Sequence, residues 1–91
     1  MDFVEENMDY ILQCAECRAV EIAEQTGLFR DVEDFKQEVV VLILRRAHSF
    51  DPRRGKPATF ISMLAKTAQR RILRRLRRSK NRMIRDAVPL P

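Results

Sequence analysis

Residues 31–78 read DVEDFKQEVVVLILRRAHSFDPRRGKPATFISMLAKTAQRRILRRLRR. Two apolar stripes of helical period flank a short break that carries proline and glycine. In the first half, Phe35, Val39, Leu42 and Ile43 mark one helix face, and Val40, Val41 and Leu44 widen it. That width predicts the central, most buried helix of the fold. The β-branched run Val39–Val40–Val41 would suit a strand on propensity alone, but the flanking period and the start signals favour a helix. Asp31 is placed as its N-cap and Asp34 as the return partner of a capping box, while Glu33 and Asp34 suit the positive end of the helix dipole.

The break runs from Ser49 to Pro57. Asp51-Pro52 begins a turn, Gly55 permits positive φ, and Pro57 suits the first position of a new helix. That helix is expected over residues 58–78. Its stripe is Ile61, Leu64, Ala65, Ala68, Ile72 and Leu76, and its other side carries Lys66, Arg70, Arg71, Arg74, Arg75, Arg77 and Arg78.

Upstream, Val4, Met8, Ile11, Ala15, Ala19 and Ile22 repeat at spacings of three and four, widened by Leu12 and Ala23, and predict one amphipathic helix over residues 2–25. Gly27 is placed to end it in the left-handed region. Downstream, residues 79–91 show no sustained stripe, and a frayed tail is expected there. The chain of 91 residues has few helix breakers, two glycines and four prolines. It reads as one domain, residues 1–91, of all-α class: a small bundle of three main helices.

Several function classes drop out early. No apolar run approaches the roughly 20 residues that span a bilayer, and the acidic N-terminus is neither a secretory signal nor a transit peptide. A cytoplasmic, non-membrane protein is expected. Cys14 and Cys17 form a lone C-x-x-C inside a helical pattern and read as ordinary thiols in a reducing compartment. His48 paired with either cysteine is conceivable on composition alone. Otherwise there is no nucleophile–base set, Gly-rich phosphate loop or clustered set of metal ligands, so no catalytic residue, metal or cofactor is expected.

The charges are sorted along the chain. Residues 1–38 carry eleven acidic residues against three basic ones, a net of −8, and residues 39–91 carry fifteen basic residues against two acidic ones, a net of +13, which together give the overall +5. Six arginines fall within residues 70–78 with no acid among them. Such a block repels itself unless a polyanion relieves it, and guanidinium groups pair with phosphates in a forked, permanently charged geometry. Nucleic acid is the first candidate ligand; an anionic surface, an acidic protein or plain solvation of the helix are the alternatives. Asp34, Gln37 and Glu38, by contrast, share one side of a helix start and taken alone are an ordinary hydrated cap.

The order of these pieces resembles region two of bacterial RNA polymerase sigma factors. The resemblance rests on Asp31, Glu33, Asp34, Gln37 and Glu38, then Phe50, Asp51, Pro52 and Gly55, then Thr59 and Phe60, then Arg74, Arg75, Arg77 and Arg78. It covers about fifty residues and implies that the chain is a transcription initiation factor-like domain and not an enzyme. Asp31, Asp34, Gln37 and Glu38 would dock on the basic clamp helices of the polymerase beta-prime subunit. Lys66, Gln69, Arg70, Arg71, Arg74, Arg75 and Arg78 would meet the minus-ten element of promoter DNA, with the Ser49–Ala58 loop near the melted strand. An antagonist protein is a further candidate partner. Two departures stand out. There is no tryptophan, and Phe60 is the one aromatic near the position where primary sigma factors stack on unpaired bases, which fits the small extracytoplasmic-function type or a phage or mobile-element relative better. No C-terminal helix-turn-helix follows, so the chain reads as a fragment or a stand-alone domain. The competing readings are a protein-interaction module that does not read DNA, and a generic charge-driven nucleic-acid binder.

Overall fold

The computed structural model describes residues 3–87, with side chains described for residues 3–78. Three α-helices hold the described chain: α1, Phe3–Thr26; α2, Val32–Arg46; and α3, Pro57–Ala87. Single 3-10 turns lie at Phe29–Asp31 and Ala47–Ser49. No described residue is in a strand, and each helix packs on the other two.

The core forms where the three apolar stripes meet. Ile11, Ile22, Val39, Ile43 and Ile61 are its largest fully enclosed side chains. Between them sit Ala15, Ala19, Ala65 and Ala68, all buried. Small side chains at these facing positions let the helix backbones approach closely, so that short isoleucine and valine side chains fill the space between them.

α1 ends as its sequence predicts. Gly27 has φ +77° and its N–H donates to the Ala23 carbonyl at 2.7 Å, the hydrogen bond of a left-handed helix stop. The Thr26 hydroxyl donates to the Ile22 carbonyl at 2.8 Å and accepts the Leu28 N–H at 3.3 Å. These bonds satisfy helix-end groups that would otherwise need water.

α2 departs from expectation in two ways. First, Asp31 makes no side-chain capping bond. The 3-10 turn runs straight into the helix, with the Asp31 N–H donating to the Leu28 carbonyl, and Asp31 has ψ 10°. An N-cap side chain reaches the N2 or N3 amide from extended backbone, which Asp31 does not adopt. The capping box with Asp34 is therefore not made, and these acids act on the helix only through its dipole. Second, the buried face of α2 is narrower than its apolar residues suggest. Phe35, Val39 and Ile43 are buried, but Val41 and Leu44 are 43% and 40% exposed. The valine run shows why. A strand would place Val39 and Val41 on one face, whereas a rotation of about 100° per residue carries Val39 inward and Val41 outward.

The break is built by its own side chains. Asp51 Oδ1 accepts the Arg53 N–H at 2.9 Å and its carbonyl accepts the Arg54 N–H at 3.0 Å, with Pro52 between them. Gly55 does not take positive φ. Pro57 opens α3, where it has no amide to leave unpaired. Across this break Phe3, Phe50 and Phe60 form a triad, with ring centroids 4.7 Å apart for Phe3–Phe50, 5.3 Å for Phe50–Phe60 and 6.0 Å for Phe3–Phe60. It ties the start of α1 and the loop to the start of α3. At its other end α3 runs to Ala87, past the stop expected at Arg78. No glycine or proline interrupts residues 58–88, so helix propensity carries the chain on without an apolar stripe. The rest of the expected tail, residues 88–91, lies outside the described residues.

The two glycines give a direct test of the helix stop. A Cβ meets nothing within 4 Å at either position, and only Gly27 is left-handed. Gly27→Ala should cost about 1–2 kcal/mol in chemical denaturation, while Gly55→Ala should be neutral or stabilise by up to about 1 kcal/mol.

Candidate nucleic-acid and partner interface

α3 is held by Ile61, Leu64, Ala65, Ala68 and Ile72, which are buried. That contact fixes its rotation. Lys66, Arg70, Arg74 and Arg77 recur at spacings of three and four and lie opposite the buried stripe, all exposed. Over these residues the helix rises about 16 Å, so the cations form a ridge rather than a point. Arg71 and Arg75 lie to one side of the ridge and line a groove shared with α2. Arg78 is exposed as well.

The facing wall of the groove carries Asp31, Asp34, Gln37 and Glu38. Asp34 and Gln37 are exposed, and Asp31 and Glu38 are half-buried. The four residues are thus together, at the surface, along one side of α2. The acidic and basic sets are not on opposite sides of the molecule. Arg71 and Arg75 share a groove with the acidic set, and one residue from each side closes across it. Arg75 Nη1 donates to Glu38 Oε1 at 2.6 Å and Arg75 Nη2 donates to Glu38 Oε2 at 2.9 Å. These hydrogen bonds push the Arg75 guanidinium above its ordinary pKa; partial burial opposes the rise and the Glu38 charge adds to it. The pair is substantially exposed, with side-chain accessibilities of 57% for Arg75 and 39% for Glu38. Its net contribution to folding is therefore in the range of about 0.2–1 kcal/mol, the upper part being reached by forked pairs of this kind.

Among the described residues, Arg75 is the cation of α3 that has an acidic partner. Lys66, Arg70, Arg71, Arg74, Arg77 and Arg78 make no described ion pair. A ridge of unpaired guanidinium groups is an electrostatic site for phosphates.

Gln69 does not belong to this surface. It is 7% exposed and turned toward α1, where its Oε1 accepts a hydrogen bond from Arg18 Nη1 at 3.0 Å. Arg18 also pairs with Glu21 at 3.1 Å. Gln69 lies four residues after Ala65 and three before Ile72, at helical spacing from both, so its amide is enclosed and finds its partner across the bundle. This corrects the expectation that placed it among DNA-contacting residues. Val41 and Arg45, conversely, line the groove, and the sequence assigns neither to a binding face. Val41 was assigned to the core because it is apolar; its position four residues after Gln37 is the signal that puts it on the acidic face.

Phe60 is half-buried in the aromatic triad and packs on the core. Cys14 and Cys17 are free thiols. A hydrogen bond with Cys14 pushes the Tyr10 phenol above its ordinary pKa, with the Cys14 charge and desolvation adding to it. No group of three or more His, Cys, Asp or Glu side chains is placed to hold a metal among the described residues. No helix there is long and apolar enough to cross a membrane.

Fold and faces together define an all-helical bundle in which an acidic helix start lies beside an arginine-rich helix. The family model Sigma-70 region 2 matches residues 19–82, more than half of the chain, and the chain belongs to that family. The match runs from the last third of α1 through α2, the turn and most of α3. No curated protein and no solved structure gives a match.

The placement of Gln69 makes a separable prediction. Gln69→Ala should destabilise the bundle by about 1 kcal/mol through loss of the Arg18 bond. Chemical denaturation reads this loss, and an unchanged midpoint would contradict the inward placement of Gln69.

Proposed function

We propose that this chain binds core RNA polymerase through the exposed start of α2 and promoter DNA of the minus-ten type through the outer face of α3. The observation that carries this reading is the juxtaposition of two exposed, oppositely charged faces on adjacent helices, in a chain of the Sigma-70 region 2 family. Asp31, Asp34, Gln37 and Glu38 meet the basic clamp helices of the beta-prime subunit, with Val41 adding apolar contact. Unlike charges at such an interface raise the association rate and exclude partners of the wrong sign.

On α3, Lys66, Arg70 and Arg74 contact phosphates, and Arg71, Arg75 and Arg78 extend the same surface toward α2. Phosphate contacts set affinity and register, whereas sequence is read at base edges or by stacking. Phe60 is engaged with Phe3 and Phe50, so we assign it to packing, and base discrimination falls to arginine. A protein of this kind performs no chemistry, and its cytoplasmic location follows from its partner.

Two measurements test the reading. Arg70→Ala with Arg74→Ala should weaken binding to single-stranded minus-ten oligonucleotides at least tenfold and flatten the plot of log affinity against log salt by about one unit per lost phosphate contact. Unchanged affinity would leave only the protein-interaction reading. Equal competition by scrambled oligonucleotides at fixed salt would instead favour charge-driven binding without promoter reading. On the other face, Asp34→Lys should reduce capture by core polymerase without loss of helicity. Asp34 makes no described side-chain bond, so an undiminished yield from the folded variant would remove the α2 face from the interface.

A further inference from the structure

The Glu38–Arg75 pair joins the two faces to which the proposed function assigns different ligands. Glu38 lies on the acidic side of the groove and Arg75 on the basic side, 37 residues apart in sequence. Both oxygens of the carboxylate and both terminal nitrogens of the guanidinium are engaged, at 2.6 Å and 2.9 Å. A phosphate binds a guanidinium through the same fork that a carboxylate uses. Arg75 cannot present that fork to a phosphate while Glu38 holds it, nor can Glu38 present both oxygens to a basic partner. Neither side chain is sealed away, with accessibilities of 57% and 39%, so an incoming ligand can reach and replace either one. The other described cations of α3 make no such pair, which confines the constraint to a single arginine.

We propose that the Glu38–Arg75 pair is a latch that couples the two faces: it masks one arginine beside the basic ridge of α3 in the free chain and releases it when a basic partner takes Glu38. The coupling is reciprocal. Whichever ligand binds first bears the cost of opening the pair, and the second binds to groups already free. The latch is weak, because an exposed pair competes with water and salt. It therefore sets a bias rather than a block, and it fades at high ionic strength. This inference rests on the reading that α3 binds DNA and α2 binds a basic partner.

The test uses DNA binding by the free chain at low salt, followed by anisotropy of a labelled single-stranded oligonucleotide. Glu38→Gln keeps the shape of the side chain and removes the charge that holds Arg75. It should tighten binding about threefold to fivefold, the range open to an exposed ion pair. Glu33→Gln removes the same charge from an exposed site on the first turn of α2 without touching Arg75, and should give a clearly smaller gain. In an Arg75→Ala background the gain from Glu38→Gln should fall to that of Glu33→Gln. Equal gains from the two glutamine variants, or a gain from Glu38→Gln that persists without Arg75, would overturn the latch while leaving the DNA-binding reading intact. Absence of DNA binding by the parent and by Glu38→Gln alike would overturn both.

Discussion

A helix that carries six arginines within nine residues has one way to join a bundle of this size. Its cations must stay in water, because an unpaired charge taken into an apolar interior costs several kcal/mol even after relaxation (on the order of the desolvation penalty for one ion). What remains to bury is the narrow stripe of Ile61, Leu64, Ala65, Ala68 and Ile72. Burial of that stripe fixes the rotation of α3, and rotation decides which arginines face outward and which lean toward α2. The alanines of α1 and α3 make the contact close, and the isoleucines of all three helices fill it. Placement of the basic ridge is thus a consequence of core packing rather than of any contact the arginines make.

The same constraint explains the groove. With α3 rotated to bury its stripe, Arg71 and Arg75 fall beside the first turns of α2, whose acids also have to stay wet. The acidic first turns of α2 then run beside Arg71 and Arg75, and one forked pair closes between them. The basic ridge beside them has no described acidic partner. The helix fixes where these cations are anchored, while their exposed side chains keep their rotamer freedom. The aromatic triad does comparable work at the far end, where it holds the loop after α2 against the start of α1.

Much of this was legible in the sequence. The end of α1 follows from Gly27, and the start of α3 follows from Pro57. The period of the valine run tells helix from strand. What the sequence could not disclose was azimuth, the angle at which each face meets its neighbours. Val41 and Leu44 are apolar, which by residue type assigns them to the core, yet the buried positions of α2 are Phe35, Val39 and Ile43. Gln69 is polar and sits among arginines, yet it lies one residue past Ala68 and turns inward to Arg18. Asp31 has the right residue type for a cap but the wrong backbone angle, because a 3-10 turn precedes it. The Glu38–Arg75 pair needs two helices to be placed against each other, and no local pattern carries that.

The central claim is that two neighbouring helix faces meet two different ligands, and contact mapping tests it most directly. A benzophenone side chain would be installed singly at Gln37, on α2, at Arg70, on α3, and at Glu16, on the outer side of α1, all exposed. Irradiation of each chain mixed with core polymerase and a minus-ten oligonucleotide should crosslink position 37 to polymerase and position 70 to DNA, and position 16 to neither. Crosslinks from position 16 to either ligand, with none from 37 and 70, would contradict it.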